Sequence, residues 1–298
     1  MPTHEPESRR YCGRLFSAEE ILWIQRLIAA EPKRNRAQLS YEVCDVLGWL
    51  RADGRRKDMS CRVAMLRMDR DGLISLPPPA GGNSNGRHRP RVTSRSDPQE
   101  PVCLAAGRLG VLSFRIVDNR RSSSLWNELI ERYHYLGYKP LPGAQMRYFV
   151  FSGSRLLAAL GFGASAWKVA PRDRFIGWDC ETRIENLHLV VNNARFLILP
   201  WVTSRNLASR ILSAVARRLP LDWGKRYGYE PALLETFVHR DRFRGTCYRA
   251  ANWVHVGETQ GRGKLDRRHR HSLPVKAVFV YPLRRDFRRR LCSSSTSR

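Results

Sequence analysis

The chain has 298 residues, 42% of them apolar, so a packed core is within reach and global disorder is excluded. Lys and Arg number 53 against 27 Asp and Glu, a formal net charge of +26. A compact monomer with that surplus repels itself unless a polyanion neutralises it, which points to nucleic acid. No apolar run approaches about 18 residues, the stretch Met1–Arg10 is polar and charged, and no basic helix has a broad apolar face, so neither a membrane partner nor a signal peptide is expected.

Ser17-Ala18-Glu19-Glu20 is a capping box that opens an amphipathic helix running to about Ala30. Ser40 is expected to cap a second helix with Leu39, Val43, Val46 and Leu47 on one face, broken at Gly54. Asp58 caps a third, with Met59, Val63 and Leu66 at core spacing and Gly72 as its stop. Leu73–Leu76 reads as a short strand ended by Pro77-Pro78-Pro79. Three helices and a strand outline a winged helix-turn-helix over residues 1–76. Arg55, Arg56 and Lys57 enter the third helix, and Arg62, Arg67 and Arg70 lie off its apolar stripe. A recognition helix needs such cations for phosphates and base edges. A small helical packing module with ordinary solvated arginines is the plainer alternative.

Residues 77–100 are rich in Pro, Gly, Ser, Asn and Arg and read as a linker. Arg87, Arg89, Arg91 and Arg95 make it basic, suited to lie along a DNA backbone or simply to tether. A second domain spans 101–283. Ser124 is expected to cap a helix with Trp126, Leu129, Ile130 and Tyr133; strands follow at 147–151 and 156–162. Alternation over Ile184–Val191 predicts another strand, continued from Arg195 to Pro200. Ser204 starts a helix with Leu207, Ile211 and Val215; then come a strand at 231–238, a short helix at 246–252, and strands at 253–257 and 275–282. That order predicts an α/β layered domain with a mixed sheet. Between Arg262 and Arg298, twelve Lys or Arg stand against Asp266 and Asp286, and residues 284–298 are expected to form a disordered basic tail. The seven cysteines are scattered, odd in number and without a C-x-x-C pair, so no disulfide framework or zinc site is expected and the chain fits a reducing cytoplasm.

The densest group of reactive side chains runs from Glu235-Thr236-Phe237-Val238 through Arg244–Trp253 to Gly261-Arg262-Gly263. The Tyr248 hydroxyl can attack a phosphodiester, with Arg244 or Arg249 stabilising the charge on phosphorus. Glu235, His188 and Asp241 offer ligands for magnesium or manganese. Trp253, Tyr248 and Phe243 can instead stack on unpaired bases with no chemistry at all. Each has a bland reading too: Tyr248 as packing, Glu235 as an arginine's partner, His188 as structural, Cys247 as an inert thiol. Arg262 between glycines suits close approach to a DNA backbone. Asn192-Asn193-Ala194-Arg195 is either a polar turn or a base-reading loop. Single- and double-stranded DNA both fit.

The stretch Thr246–Trp253 resembles the tyrosine helix of the GNAT acyltransferase fold, with Tyr248 at the family's usual general acid. That resemblance implies a GNAT-like mixed-sheet α/β domain in which Ser204, Arg205 and Asn206 receive a cofactor phosphate. Thr203–Arg210 lacks the family's glycine-rich turn, as in atypical members resembling phage DNA-modifying Mom proteins. From about Phe16 to Leu283 the chain resembles the DruA family of Druantia anti-phage systems, whose relatives are carried by insertion sequences. The resemblance rests on Val43-Cys44 through Leu76-Pro77, Asn193–Pro200, Leu207–Arg210, Asp222-Trp223 and Glu235–Gly263. It implies action on DNA in defence or transposition, with other defence-system proteins as partners. The glycine-poor turn favours DNA processing over ordinary acyl transfer.

Overall fold

The structure, a computed structural model, describes residues 8–80, 89–261 and 273–294. It divides into two compact units, Met1–Asn85 and Gly86–Arg298.

The first unit opens with a hairpin of β1 (Arg9–Tyr11) and β2 (Arg14–Phe16), turned at Cys12 and Gly13, both at positive φ. Helix α1 (Ala18–Ala30) has the predicted capping box, Ser17 and Glu20 each bonding the other's backbone. Helix α2 (Arg36–Val46) starts earlier than expected, capped by Asn35; Ser40 lies inside it and donates to Ala37 O. Helix α3 spans Asp58–Arg70. Phe16, Ile24, Leu39, Val43, Trp49, Met65 and Met68 form one core beneath them.

Two features depart from the expected winged helix-turn-helix. Among the described residues Leu73–Leu76 pairs with no strand; Leu73 O accepts from Gln25 Nε2 and Leu76 N donates to Asp69 Oδ1, so side chains satisfy the backbone that a wing would. The connection between α2 and α3 takes all of residues 47–57, closed by a bridge of Leu50 to Arg56, far longer than the tight turn of that motif. The strands precede the helices instead.

The second unit holds a seven-stranded mixed sheet. In chain order its elements are β3 (Leu112–Ile116), α4 (Arg120–Tyr133), β4 (Met146–Ser152), β5 (Arg155–Ala164), α5 (Ala170–Ile176), α6 (Cys180–Asn186), β6 (Val190–Ile198), α7 (Leu207–Tyr227), β7 (Leu233–His239), α8 (Thr246–Ala250), β8 (Val254–Glu258), β9 (Lys276–Pro282) and α9 (Phe287–Cys292). The sheet order is β3-β4-β5-β6-β7-β9-β8, antiparallel throughout except for the parallel pair β6–β7. Trp126, Tyr148, Phe162, Leu212, Trp223 and Phe279 fill the core between sheet and helices.

Several boundaries differ from expectation. Asn119, not Ser124, caps α4. The alternation over Ile184–Val191 belongs to α6, capped by Asp179, and a turn at Leu187–Leu189; the strand starts only at Val190. Thr93–Asp97, assigned to the linker, is docked on α4: Thr93 N and Oγ1 donate to Glu128, Tyr133 donates to Ser96 O, and Arg132 pairs with Asp97. The described part of the expected tail, residues 284–294, is not free either; 295–298 lie outside the described residues. Leu291 of α9 is fully buried, and Asn186 Nδ2 donates to Leu291 O and Ser293 O. None of the seven cysteines forms a disulfide. No helix among the described residues is long and apolar enough to cross a membrane.

Candidate functional site

Strands β6 and β7 pair only over Val190–Asn192 and Leu233–Glu235, yet β6 runs on to Ile198 and β7 to His239. A wedge therefore opens between two parallel strands. A gap at the carboxyl ends of parallel strands is where open α/β sheets take ligands.

One face of this wedge is filled by side chains. Tyr248 on α8 donates its hydroxyl to Asn193 Oδ1 at 3.0 Å. Thr236 Oγ1 donates to Asn193 O across the gap at 3.0 Å and lies 3.5 Å from the tyrosine oxygen. The Tyr248 ring stacks on Phe279, with centroids 5.8 Å apart, and meets Trp253 edge-on at 5.1 Å. Tyr248 is 8% exposed and Trp253 3%. Burial pushes the Tyr248 phenol well above its usual range. The residue expected as nucleophile or general acid is thus packed within the core with its hydroxyl bonded, and the indole expected to stack on bases is covered. Trp253 Nε1 is buried without a partner.

Glu235 faces the other way. Its carboxylate accepts from Ala166 N at 2.8 Å and from Arg172 at 2.7 Å, and neither acidic nor basic side chain has exposed surface. The remaining Arg172 nitrogens hold Asp173, which also accepts from Trp178 Nε1 at 3.1 Å. Burial is the larger influence on the Glu235 carboxyl and raises its pKa, against the pull of the Arg172 charge and the Ala166 N–H. Glu235 thereby clamps α5 to the sheet.

The expected metal trio is not assembled. Glu235 is spent on Arg172. His188 is exposed, its Nδ1 2.8 Å from Glu185 O and its ring edge-on to Tyr229 at 5.1 Å. The Asp241 side chain is 82% exposed. Among the described residues no group of three or more His, Cys, Asp or Glu is placed to hold a metal ion. Arg244 is exposed, its carbonyl accepting from Arg249.

Ser204, Arg205 and Asn206 do lead into α7, as the GNAT resemblance implies. Asn206 sits in the left-handed region at φ 66° and contributes no side-chain cap; Ser204 Oγ is buried without a partner. The segment 102–110 lies alongside: Val102 N donates to Trp201 O, Thr203 N to Val102 O, and Arg210 reaches the carbonyls of Ala106 and Gly110. This backbone pairing stands where a glycine-rich turn would meet phosphate.

In the first unit, Arg56 pairs with Asp45 at 2.5 Å and covers the Tyr41 ring, while Arg62 pairs with Asp58. Arg55, Lys57, Arg67 and Arg70 are exposed and make no ion pair among the described residues. Arg89 pairs loosely with Glu131 at 3.7 Å, and Arg91 is exposed. Arg87 and Arg262 lie outside the described residues. Two functional positions escaped sequence reasoning. Arg172 has no local signal beside Glu235, and Asn192–Arg195 is neither turn nor loop but the middle of β6, bulged opposite Gly161/Phe162.

A helical basic unit joined to a mixed α/β unit with a splayed parallel pair defines the class. A family model described as Druantia protein DruA matches residues 67–272, and the chain belongs to that family. Comparison with curated proteins gives no match. Similar solved structures include the aminoglycoside acetyltransferase AAC(6')-Ib in complex with coenzyme A and kanamycin (11% identity, 60% of this chain and 98% of that one, TM-score 0.39). They also include a polyamine N-acetyltransferase of Drosophila melanogaster (15%, 58% and 100%, TM-score 0.35) and an N-acetyltransferase of Staphylococcus aureus Mu50 (8%, 58% and 99%, TM-score 0.33). All three are acetyltransferases, and likeness this distant carries nothing about what this chain does.

Proposed function

We propose that this DruA-family chain is a DNA-binding protein of anti-phage defence or transposition, and that its arginine surfaces, rather than the Tyr248 block, meet the polyanion. The carrying observation is exposed cationic charge with no acidic partner. On the first unit this is Arg55, Lys57, Arg67 and Arg70 around α3. On the second, a groove of about 530 Å³ is lined by Arg91 and Arg120, unpaired among the described residues, and by Arg89, which meets Glu131 only at 3.7 Å, together with Ser123, Ser124 and Asn127. Behind it Arg147 is held by Ser123 Oγ at 2.9 Å and Asn127 Oδ1 at 3.0 Å. Glu128 in the groove wall accepts from Thr93 and Ser124 and is buried, so its carboxylate is turned away from the groove's open side. Cations interleaved with hydroxyl and amide donors are the groups that grip a phosphate backbone.

Group transfer onto DNA from a CoA-like donor is the second reading, favoured by the unpartnered Ser204 Oγ at the α7 N-terminus. Fluorescence anisotropy with duplex and single-stranded oligonucleotides at several salt concentrations tests the first. Denaturing gels with magnesium or manganese, and DNA mass spectrometry with acetyl-CoA, test for chemistry. Salt-sensitive binding of unaltered DNA supports the proposal. Nicked or adducted DNA that disappears in Tyr248→Phe restores the tyrosine as a catalytic residue, and a mass gain on DNA installs the transfer reading.

A further inference from the structure

Arg195 is the buried charge that the fold leaves unanswered. It lies on β6 just beyond the point where β6 and β7 part, on the face opposite Tyr248. It is 9% exposed, its Nε is buried without a partner, and its recorded hydrogen bond runs from Nη1 to the neighbouring Ala194 O at 2.7 Å. It makes no ion pair among the described residues. A guanidinium taken out of water is costly unless an anion and hydrogen bonds compensate it. Arg172, fully enclosed, shows how this chain treats such a group when it is structural: two carboxylates and a carbonyl surround it.

The neighbours of Arg195 suit a particular anion. Its charge is felt by His134 and Tyr135, which follow α4. The two rings stack at 4.9 Å with planes 28° apart. Phe243, 49% exposed, meets Tyr135 at 5.2 Å, and the Arg242 guanidinium lies 5.2 Å from the Tyr135 ring centre. His239, at the end of β7, presents its ring edge-on to Tyr135 at 6.3 Å, and its Nδ1 is buried without a hydrogen-bond partner. Asp241 stands at the rim with its carboxylate exposed, 3.9 Å from His239 Nδ1. A buried cation near the Tyr135 ring, which the solvent-facing Phe243 meets in turn, with a rim cation over that ring, is the pairing that binds a phosphate and the base attached to it.

We propose that the β6–β7 wedge, on the side of Arg195, is a nucleotide site: Arg195 takes a phosphate, and Tyr135 with Phe243 takes the base of an unpaired nucleotide. The proposal rests on the DNA-binding reading above and adds that one strand end or unstacked nucleotide is read there. The same chemistry serves a free nucleotide, so the test has separate arms for each.

The experiment measures binding of the full chain to labelled oligo-dT, to a blunt duplex, and to dTMP. The variants are Arg195→Met and the surface pair Tyr135→Ser and Phe243→Ser, with thermal unfolding alongside. Loss of one stacked base weakens single-strand binding by about 5- to 150-fold. The expected result is a loss of that size for oligo-dT in all three variants, duplex affinity within about twofold, and an Arg195→Met protein at least as stable as the parent. The stability readout separates roles, since Met in place of an uncompensated buried cation is neutral or stabilising, whereas loss of a structural cation unfolds. Unchanged oligo-dT and dTMP binding in all three variants overturns the proposal and leaves duplex binding standing. If the parent binds neither DNA form but binds dTMP through Arg195, the site stands for a free nucleotide and the DNA-binding reading fails.

Discussion

Replacing Glu235 by alanine separates the two roles this residue was open to. In the parent, the carboxylate accepts from Arg172 at 2.7 Å and from Ala166 N at 2.8 Å, with both charged side chains fully enclosed. Alanine leaves the Arg172 guanidinium inside with one carboxylate, Asp173, and strands the Ala166 N–H. Removing one partner of a buried pair costs about 3–5 kcal/mol, because the other charge stays interior and uncompensated. Against the roughly 5–15 kcal/mol of an ordinary domain, that is a large share of the total stability. Urea unfolding followed by tryptophan fluorescence reads this directly, since Trp178 donates to the same Asp173 that holds Arg172. The expected curve for Glu235→Ala shifts to much lower urea, and Glu235→Leu combined with Arg172→Met recovers most of the loss. A Glu235→Ala protein with parental stability and abolished action on DNA refutes the structural role and returns Glu235 to catalysis.

Other consequences are checked more simply. Tyr248→Phe leaves Asn193 Oδ1 short of its 3.0 Å donor and is expected to lower unfolding stability by about 1–3 kcal/mol while DNA affinity stays the same, measured by urea titration and anisotropy. Gly245→Ala places a Cβ 2.7 Å from Phe279 Cζ at a backbone φ of +70°, so it is expected to destabilise by about 1–3 kcal/mol and to loosen α8, seen as lower thermal midpoint. The His134 pKa is drawn from the usual 6.5 to about 4, by burial first and by the Arg195 charge second. Between those values the unfolded chain binds a proton that the folded chain refuses, so this contribution is full above about pH 6.5 and is lost as pH falls towards about 4. The stability difference between parent and His134→Gln is expected to shrink over that window; a constant difference contradicts the assignment.

What the sequence disclosed depended on how local the signal was. The capping box at Ser17 is complete within four residues, and it appears as read. The mixed α/β character of the second unit followed from the order of apolar runs. Alternation at Leu187, Leu189 and Val191 misled because a helix end and a strand start share that spacing over so short a stretch. The proline- and serine-rich composition of 77–100 hid the docking of Thr93 and Ser96, which depends on Glu128 and Tyr133 in a later helix. Site residues fared worst for the same reason. Arg172 meets Glu235 across 63 residues of chain, and Tyr248 meets Asn193 across 55, with no spacing to announce either. A tyrosine on a short helix is the same residue whether it faces a substrate or a core. Arg195 falls where a polar turn or loop meets the extended run to Pro200, and its isolation from carboxylates exists only once the strands are laid side by side.

In the proposed function surplus arginine meets DNA phosphate, and salt is the most direct probe of that contact. Binding of the full chain to duplex DNA, measured from low to moderate salt, is expected to weaken linearly on logarithmic axes, with each lost phosphate contact flattening the slope by roughly one unit. Arg55→Gln, Arg67→Gln and Arg70→Gln together are expected to flatten it by roughly two to three units. Affinity that ignores salt, or a slope untouched by the triple substitution and by loss of Arg89, Arg91 and Arg120, contradicts the claim.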